Sequence, residues 1–125
     1  MTFLTLDQLL EIHALVIDST GGSSGLRDLG RLEAAIATQR QDVFGEELYQ
    51  GPTNKTAAII RAIVADHPFV DGNKRTAMLS GLTLLELNQV NFKAKVGEIE
   101  DFAVEIATKR LDIPVIAQWL DLHIT

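Results

Sequence analysis

From Gly72 to Asn88 the chain presents apolar side chains in almost every direction around a helix, through Ala77, Met78, Leu79, Leu82, Leu84, Leu85 and Leu87. A helix of this kind has no face for water and must be enclosed by other helices. Ser80 and Gly81 leave room for a close neighbour. This one segment therefore predicts a bundle with a buried central helix, and the rest of the chain supplies the partners. Thr5 and Gln8 have the form of a capping box ahead of an apolar stripe of Leu6, Leu9, Leu10, His13, Val16 and Ile17, and Gly21 with Gly22 stops that helix. Asp28 can cap a second helix that runs to Thr38. Asn54 can cap a third through Ala57, Ile60, Ile63 and Val64, ending near Asp66 because Pro68 disfavours helical geometry at His67. Two more helices are expected at 98–110 and 113–123, the last opened by Asp112 and Pro114. Residues 41–52 have no helical period and are bracketed by Gly45, Gly51 and Pro52, which reads as an exposed loop or short hairpin carrying Phe44 and Tyr49.

The fold class expected is all-α: six helices in a single domain spanning residues 1–125. A chain of 125 residues has room for one continuous core but not two. Eleven basic against 17 acidic residues give a net charge of −6, so direct nucleic-acid binding is not expected, although a small anion can still bind at a local basic spot. No cysteine is present, which excludes disulfides, zinc knuckles and thiol nucleophiles and fits a reducing cytoplasm. The amino end lacks a basic region and carries Asp7, Glu11 and Asp18 within its apolar pattern, so neither a signal peptide nor a membrane span is expected. The expectation is a soluble cytoplasmic protein with no membrane role.

Chemistry is concentrated in His67-Pro68-Phe69-Val70-Asp71-Gly72-Asn73-Lys74-Arg75. If the central helix starts at Gly72, the free backbone N–H groups of Gly72, Asn73 and Lys74 form an anion site with the positive end of the helix dipole behind them. Lys74 and Arg75 add charge where phosphate oxygens would lie. His67 is a candidate general base, since histidine is the side chain that most often serves in that role near neutral pH. Each residue also has a plain structural reading. His67 can cap a helix, Asp71 can be the N-cap of the central helix, Phe69 can anchor the loop in the core, and Lys74 and Arg75 can be a solvated first turn. Cations at a helix N-terminus oppose the dipole, however, and that mismatch favours an anionic ligand. His13 and His123 read as structural. Only His67 and Asp71 lie close together among possible metal ligands, so no site built from protein ligands alone for zinc or di-iron is expected, and no phosphate-binding G-x-x-x-x-G-K-[ST] loop or G-x-S-x-G elbow occurs.

The nine-residue segment resembles the signature of Fic-fold proteins, and specifically the death-on-curing (Doc) branch with its pattern H-x-F-x-[DN]-[GA]-N-K-R. The resemblance extends to GGSSGLRDLGRLEAA at 21–35, FGEELY at 44–49, and NKRTAML with the apolar helix after it. It implies an all-helical toxin of a toxin–antitoxin module that uses ATP and Mg2+ to modify a hydroxyl of a protein target, with translation elongation factor Tu as the target of the family's prototype. By position, the resemblance makes His67 the base, Asp71 the magnesium ligand or histidine orienter, Gly72 and Asn73 the phosphate-cradling turn, and Lys74 and Arg75 the phosphate clamps. The AMP-transferring branch has glycine in place of Lys74 and a second arginine in place of Met78. Both departures point to a kinase that holds the γ-phosphate toward His67, with AMP transfer, or a catalytically silent binding module, as the alternatives. No Ser or Thr is followed at the right spacing by the Glu of the family's inhibitory helix, which implies a separate cognate antitoxin as partner. The loop at 42–52 resembles the flap that clamps the target as an added strand, with Phe44 and Tyr49 as contacts.

Overall fold

Six helices and one small hairpin account for the regular structure in a computed structural model that describes residues 1–125. The elements are α1 (Leu6–Thr20), α2 (Leu29–Ala37) followed by a 3-10 turn (Thr38–Arg40), the strands β1 (Asp42–Val43) and β2 (Glu46–Glu47), then α3 (Gly51–Asp66), α4 (Asn73–Leu87), α5 (Val96–Lys109) and α6 (Ile113–Leu122). The capping box at Thr5 and Gln8 is present, and Asp28 caps α2 by accepting from the Arg31 N–H at 3.1 Å. The first stripe is rotated slightly from the sequence reading: Leu9, Ile12, His13 and Val16 are buried, whereas Leu10 is exposed.

Three helix starts differ from expectation, α5 by opening at Val96 rather than at 98. The third helix begins at Gly51 rather than after Asn54, because Pro52 fits the first turn, where an N–H is not needed. Asn54 then lies inside the helix, and its amide donates back to the Gln50 carbonyl at 2.8 Å. The fourth helix begins at Asn73, and its cap is Gly72 in the left-handed conformation (φ 77°) rather than Asp71.

Packing also redistributes the centre. Helix α3 packs against α2, α4, α5 and α6, and it buries Lys55 through Ile60 together with Ile63 and Val64. Helix α4 lies against α1, α3 and α5, and its remaining flank leaves Leu79 at the surface. The enclosed centre is therefore shared by two helices. Their contact is close because Gly81 has no side chain: a Cβ there would lie 2.5 Å from Ile60 Cδ1. One cluster of 22 buried residues runs from Leu4 to Leu120 and includes Phe69.

The carboxyl end is closed by an aromatic and ionic clasp. Trp119 stacks on Phe102 with ring centroids 4.1 Å apart, and His123 faces two acceptors, the Trp119 carbonyl at 2.8 Å from Nδ1 and Glu98 Oε2 at 3.0 Å from Nε2. Both nitrogens can donate only in the protonated ring. The Trp119 carbonyl, and then Glu98, accordingly hold His123 above its ordinary pKa, while the bond from His123 holds Glu98 below its own. No helix is long and apolar enough to cross a membrane.

Candidate functional site

The loop between α3 and α4 is fixed almost entirely through its backbone. Helix α3 ends at His67, which takes the left-handed conformation (φ 48°) and donates its N–H to Ile63 O. A histidine in that region costs about 1–2 kcal/mol and persists only where its surroundings hold it. Arg27 Nε donates to the His67 carbonyl at 2.8 Å, and Arg27 and Arg31 both donate to the Asp66 carbonyl. The segment before α2 runs alongside the loop as a short antiparallel partner. Pro68 O accepts from the N–H groups of Arg27 and Asp28, and the Val70 N–H donates to Gly25 O.

Phe69 anchors the turn in the core: it is buried and stacks on His13 with ring centroids 3.7 Å apart and planes 6° apart. Asn73 folds its side chain back onto the same residue, accepting from the Phe69 N–H at 3.0 Å and donating to the Phe69 carbonyl at 2.9 Å. The buried amide of Asn73 is thus a staple for the loop, and its backbone N–H is free for an anion. His13 Nε2 lies 2.9 Å from the Asp71 carbonyl oxygen, so that nitrogen carries the hydrogen. Gly72 is required twice over: its φ is positive, and a Cβ there would meet Ile17 Cδ1 at 3.2 Å and Val16 Cγ1 at 3.3 Å.

Asp71, Gly72, Asn73, Lys74 and Arg75 line one open cavity of about 430 Å3 together with Thr20, Gly21 and Gly22. The N–H groups of Asn73, Lys74 and Arg75 open α4 and have no intrahelical acceptor. Lys74 makes no ion pair or hydrogen bond through its side chain, and Arg75 reaches only Glu100 at 3.7 Å. A cavity with a helix N-terminus at its wall, two cations at its rim and no hydrophobic lining suits a polyphosphate. Asp71 is exposed at its edge, with Oδ2 accepting from the Ser23 N–H at 2.8 Å and Oδ1 free. No group of three or more His, Asp or Glu side chains that could hold a metal ion exists. One free carboxylate oxygen beside a phosphate site is nonetheless the kind of donor set a magnesium ion uses, because Mg2+ takes one or two carboxylates and completes its shell with phosphate oxygens and water.

Not every expected residue joins this cavity. His67 is exposed and makes no hydrogen bond to Asp71; it lines a neighbouring cavity between α3 and α5. Phe44 and Tyr49 sit at the opposite end of α3, whose 16 residues span about 24 Å. Phe44 is fully exposed at the tip of the hairpin, whereas Tyr49 is partly buried and lines a cavity with Asn54, Asp112, Ile113 and Pro114. Sequence reasoning also left out the residues that brace the loop. His13 was legible only as part of an apolar stripe, and the basic pair Arg27 and Arg31 gave no sign that it serves the carbonyls that end α3.

The model of the Fic/DOC family matches residues 3–85, which includes the whole His67–Arg75 loop, all of α3, and α4 as far as Leu85. The chain belongs to the Fic/DOC family. Among its relatives, Toxin Doc of Mycolicibacterium smegmatis is 38% identical over 99 residues, covering 78% of this chain and 76% of the relative. Protein kinase doc of Escherichia phage P1 is 32% identical over 120 residues, covering 96% of this chain and 94% of the relative. Both are Doc proteins, which places this Fic/DOC chain in the death-on-curing branch.

Proposed function

We propose that this Fic/DOC protein is a toxin that phosphorylates a hydroxyl of a target protein with ATP and so halts translation, elongation factor Tu being the target that the resemblance suggests. The observation that carries the reading is Lys74, a cation without a partner beside three free N–H groups at the start of α4. The match to a relative named a protein kinase over 96% of the chain supports it. In this reading the β- and γ-phosphates rest on the N–H groups of Asn73, Lys74 and Arg75. Lys74 and Arg75 hold the charge that spreads over the oxygens as the bond from the γ-phosphorus to the β–γ bridging oxygen breaks. His67 takes the proton of the target hydroxyl as its oxygen attacks the γ-phosphorus, and ADP leaves. Asp71 would hold magnesium, which neutralises phosphate oxygens when bound. Phe44 and Tyr49 would touch the target, whose surface then extends along the length of α3. A cognate antitoxin would restrain the enzyme, since the chain lacks the inhibitory-helix pattern that Fic-fold proteins often carry.

AMP transfer is the rival that an experiment can separate. Met78, which stands where the AMP-transferring branch has its second arginine, is buried at 3% exposure beside Leu79 and Leu82, a poor place for a guanidinium. If the Lys74 ammonium fills the space of a β-phosphate, Lys74→Gly should reduce phosphoryl transfer and shift residual product toward AMP addition. Intact-mass measurement of the modified target reads the difference. A rate of phosphoryl transfer retained in Lys74→Gly would sink the orientation argument.

A further inference from the structure

His67 lines a cavity of about 410 Å3 between the C-terminal halves of α3 and α5, shared with Arg61, Val64, Ile106, Arg110 and Leu111. Its polar lining is cationic, although the chain as a whole carries −6. Arg110 ends α5 in the left-handed conformation (φ 50°), is exposed, and has no ion pair or side-chain hydrogen bond within the fold. Arg61 is half exposed and has one loose partner, Asp112, at 3.4 Å. The ordinary task for cations at helix C-termini is to offset the negative end of the dipole. At α3 that task is already filled, because Arg27 and Arg31 donate directly to the carbonyls of Asp66 and His67. Arg61 is therefore surplus to it, and Arg110, which ends α5, leaves its guanidinium without a partner.

The position of the cavity says what it faces. In phosphoryl transfer the attacking and leaving oxygens lie roughly in line, so donor and acceptor approach the reacting phosphorus from opposite sides. The nucleotide side is the cavity of Asp71 to Arg75, and His67 lines the other cavity, with Arg61 and Arg110. The acceptor hydroxyl and the residues beside it then fall on the side of the two arginines. Resting on the reading of His67 as base, we infer that the cavity of Arg61 and Arg110 is a specificity subsite for an acidic side chain that flanks the acceptor hydroxyl in the target protein.

The test uses the full chain labelled with nitrogen-15 and two acetylated, amidated peptides, Ala-Glu-Thr-Glu-Ala and Ala-Gln-Thr-Gln-Ala. The acidic peptide should move the Arg61 and Arg110 Nε–H signals and bind about fivefold more tightly than the neutral one, the scale of a partly exposed ion pair. Arg110→Gln should reduce that preference severalfold while leaving the unfolding midpoint in place, since its side chain holds nothing in the fold. Equal binding of the two peptides, or an acidic preference that survives both Arg61→Gln and Arg110→Gln, overturns the subsite. Movement of the Arg110 signal by ATP alone would assign the cavity to the nucleotide and overturn it as well. A preference for the acidic peptide without transfer to any acceptor leaves the subsite standing and removes the role of His67 as base; transfer without acidic preference does the reverse.

Discussion

His67 and Phe44 share a backbone conformation that non-glycine residues rarely adopt, with φ of 48° and 52°, and both expose their side chains. Their surroundings differ completely. Around His67 the carbonyls of residues 66 to 69, together with that of Asp71, are each bound by Arg27, Arg31, Asp28, Asn73 or His13, and Phe69 is locked in the core. Around Phe44 there are two strands of two residues each, which pair Asp42 with Glu47 and Val43 with Glu46. The acidic cross-strand pair weakens that ladder, and only the contact of Glu47 with Lys55 Nζ at 3.4 Å offsets it. The His67 end of α3 holds its backbone in one place, which suits the role of base proposed for that residue. The Phe44 end instead leaves an exposed aromatic on a weak hairpin, which suits the adaptable target contact proposed for it.

Removing the exposed group from the braced end should have the largest effect. His67→Ala is expected to lower transfer by about 10²–10⁴-fold, as loss of a general base does, with an unchanged thermal unfolding curve because the ring is exposed and makes no hydrogen bond. Comparable activity in a folded His67→Ala protein would remove the mechanism. The brace itself is probed by Gly72→Ala, which forces a side chain into the left-handed region and against Val16 and Ile17. It should cost about 1–3 kcal/mol of stability, measured by urea unfolding. A neutral result would mean that the turn before α4 is loosely held, and the contrast between the two ends would fail.

These residues also mark how far the sequence alone could reach. Helix positions were legible because caps and apolar spacing are local: Thr5 with Gln8, Asp28, and Asp112 with Pro114 all begin helices as their chemistry dictates. Two starts were displaced because a competing local device won, Pro52 over Asn54 and left-handed Gly72 over Asp71. The chemistry of the site was legible as composition within nine residues, but its bracing was not. The antiparallel contact of Leu26 with Phe69 and the bond from His13 to Asp71 join segments more than 40 residues apart, and nothing in a stripe or a cap announces such a partner. The division of the loop between two cavities, with His67 facing one and Lys74 the other, is likewise a product of tertiary packing.

The smallest expected effect lies at the weak end. Phe44→Asn places a residue that tolerates the left-handed region at the hairpin tip, so stability should rise by about 0.5 kcal/mol or less. If Phe44 meets the target, kcat/KM for the target should fall in the same variant while hydrolysis of ATP without target stays constant. A variant that gains stability and loses nothing would make the hairpin a simple connection between α2 and α3.

The central claim, that the γ-phosphoryl group moves directly to a protein hydroxyl with His67 as the base, is tested most directly by following the label. The purified chain is incubated with a bacterial extract and ATP labelled at either the γ- or the α-phosphate, and the proteins are then separated by electrophoresis. The account predicts a protein band labelled from γ-labelled ATP, absent with α-labelled ATP and absent with His67→Ala. A band labelled from α-labelled ATP, or a γ-labelled band that persists in His67→Ala, would contradict it.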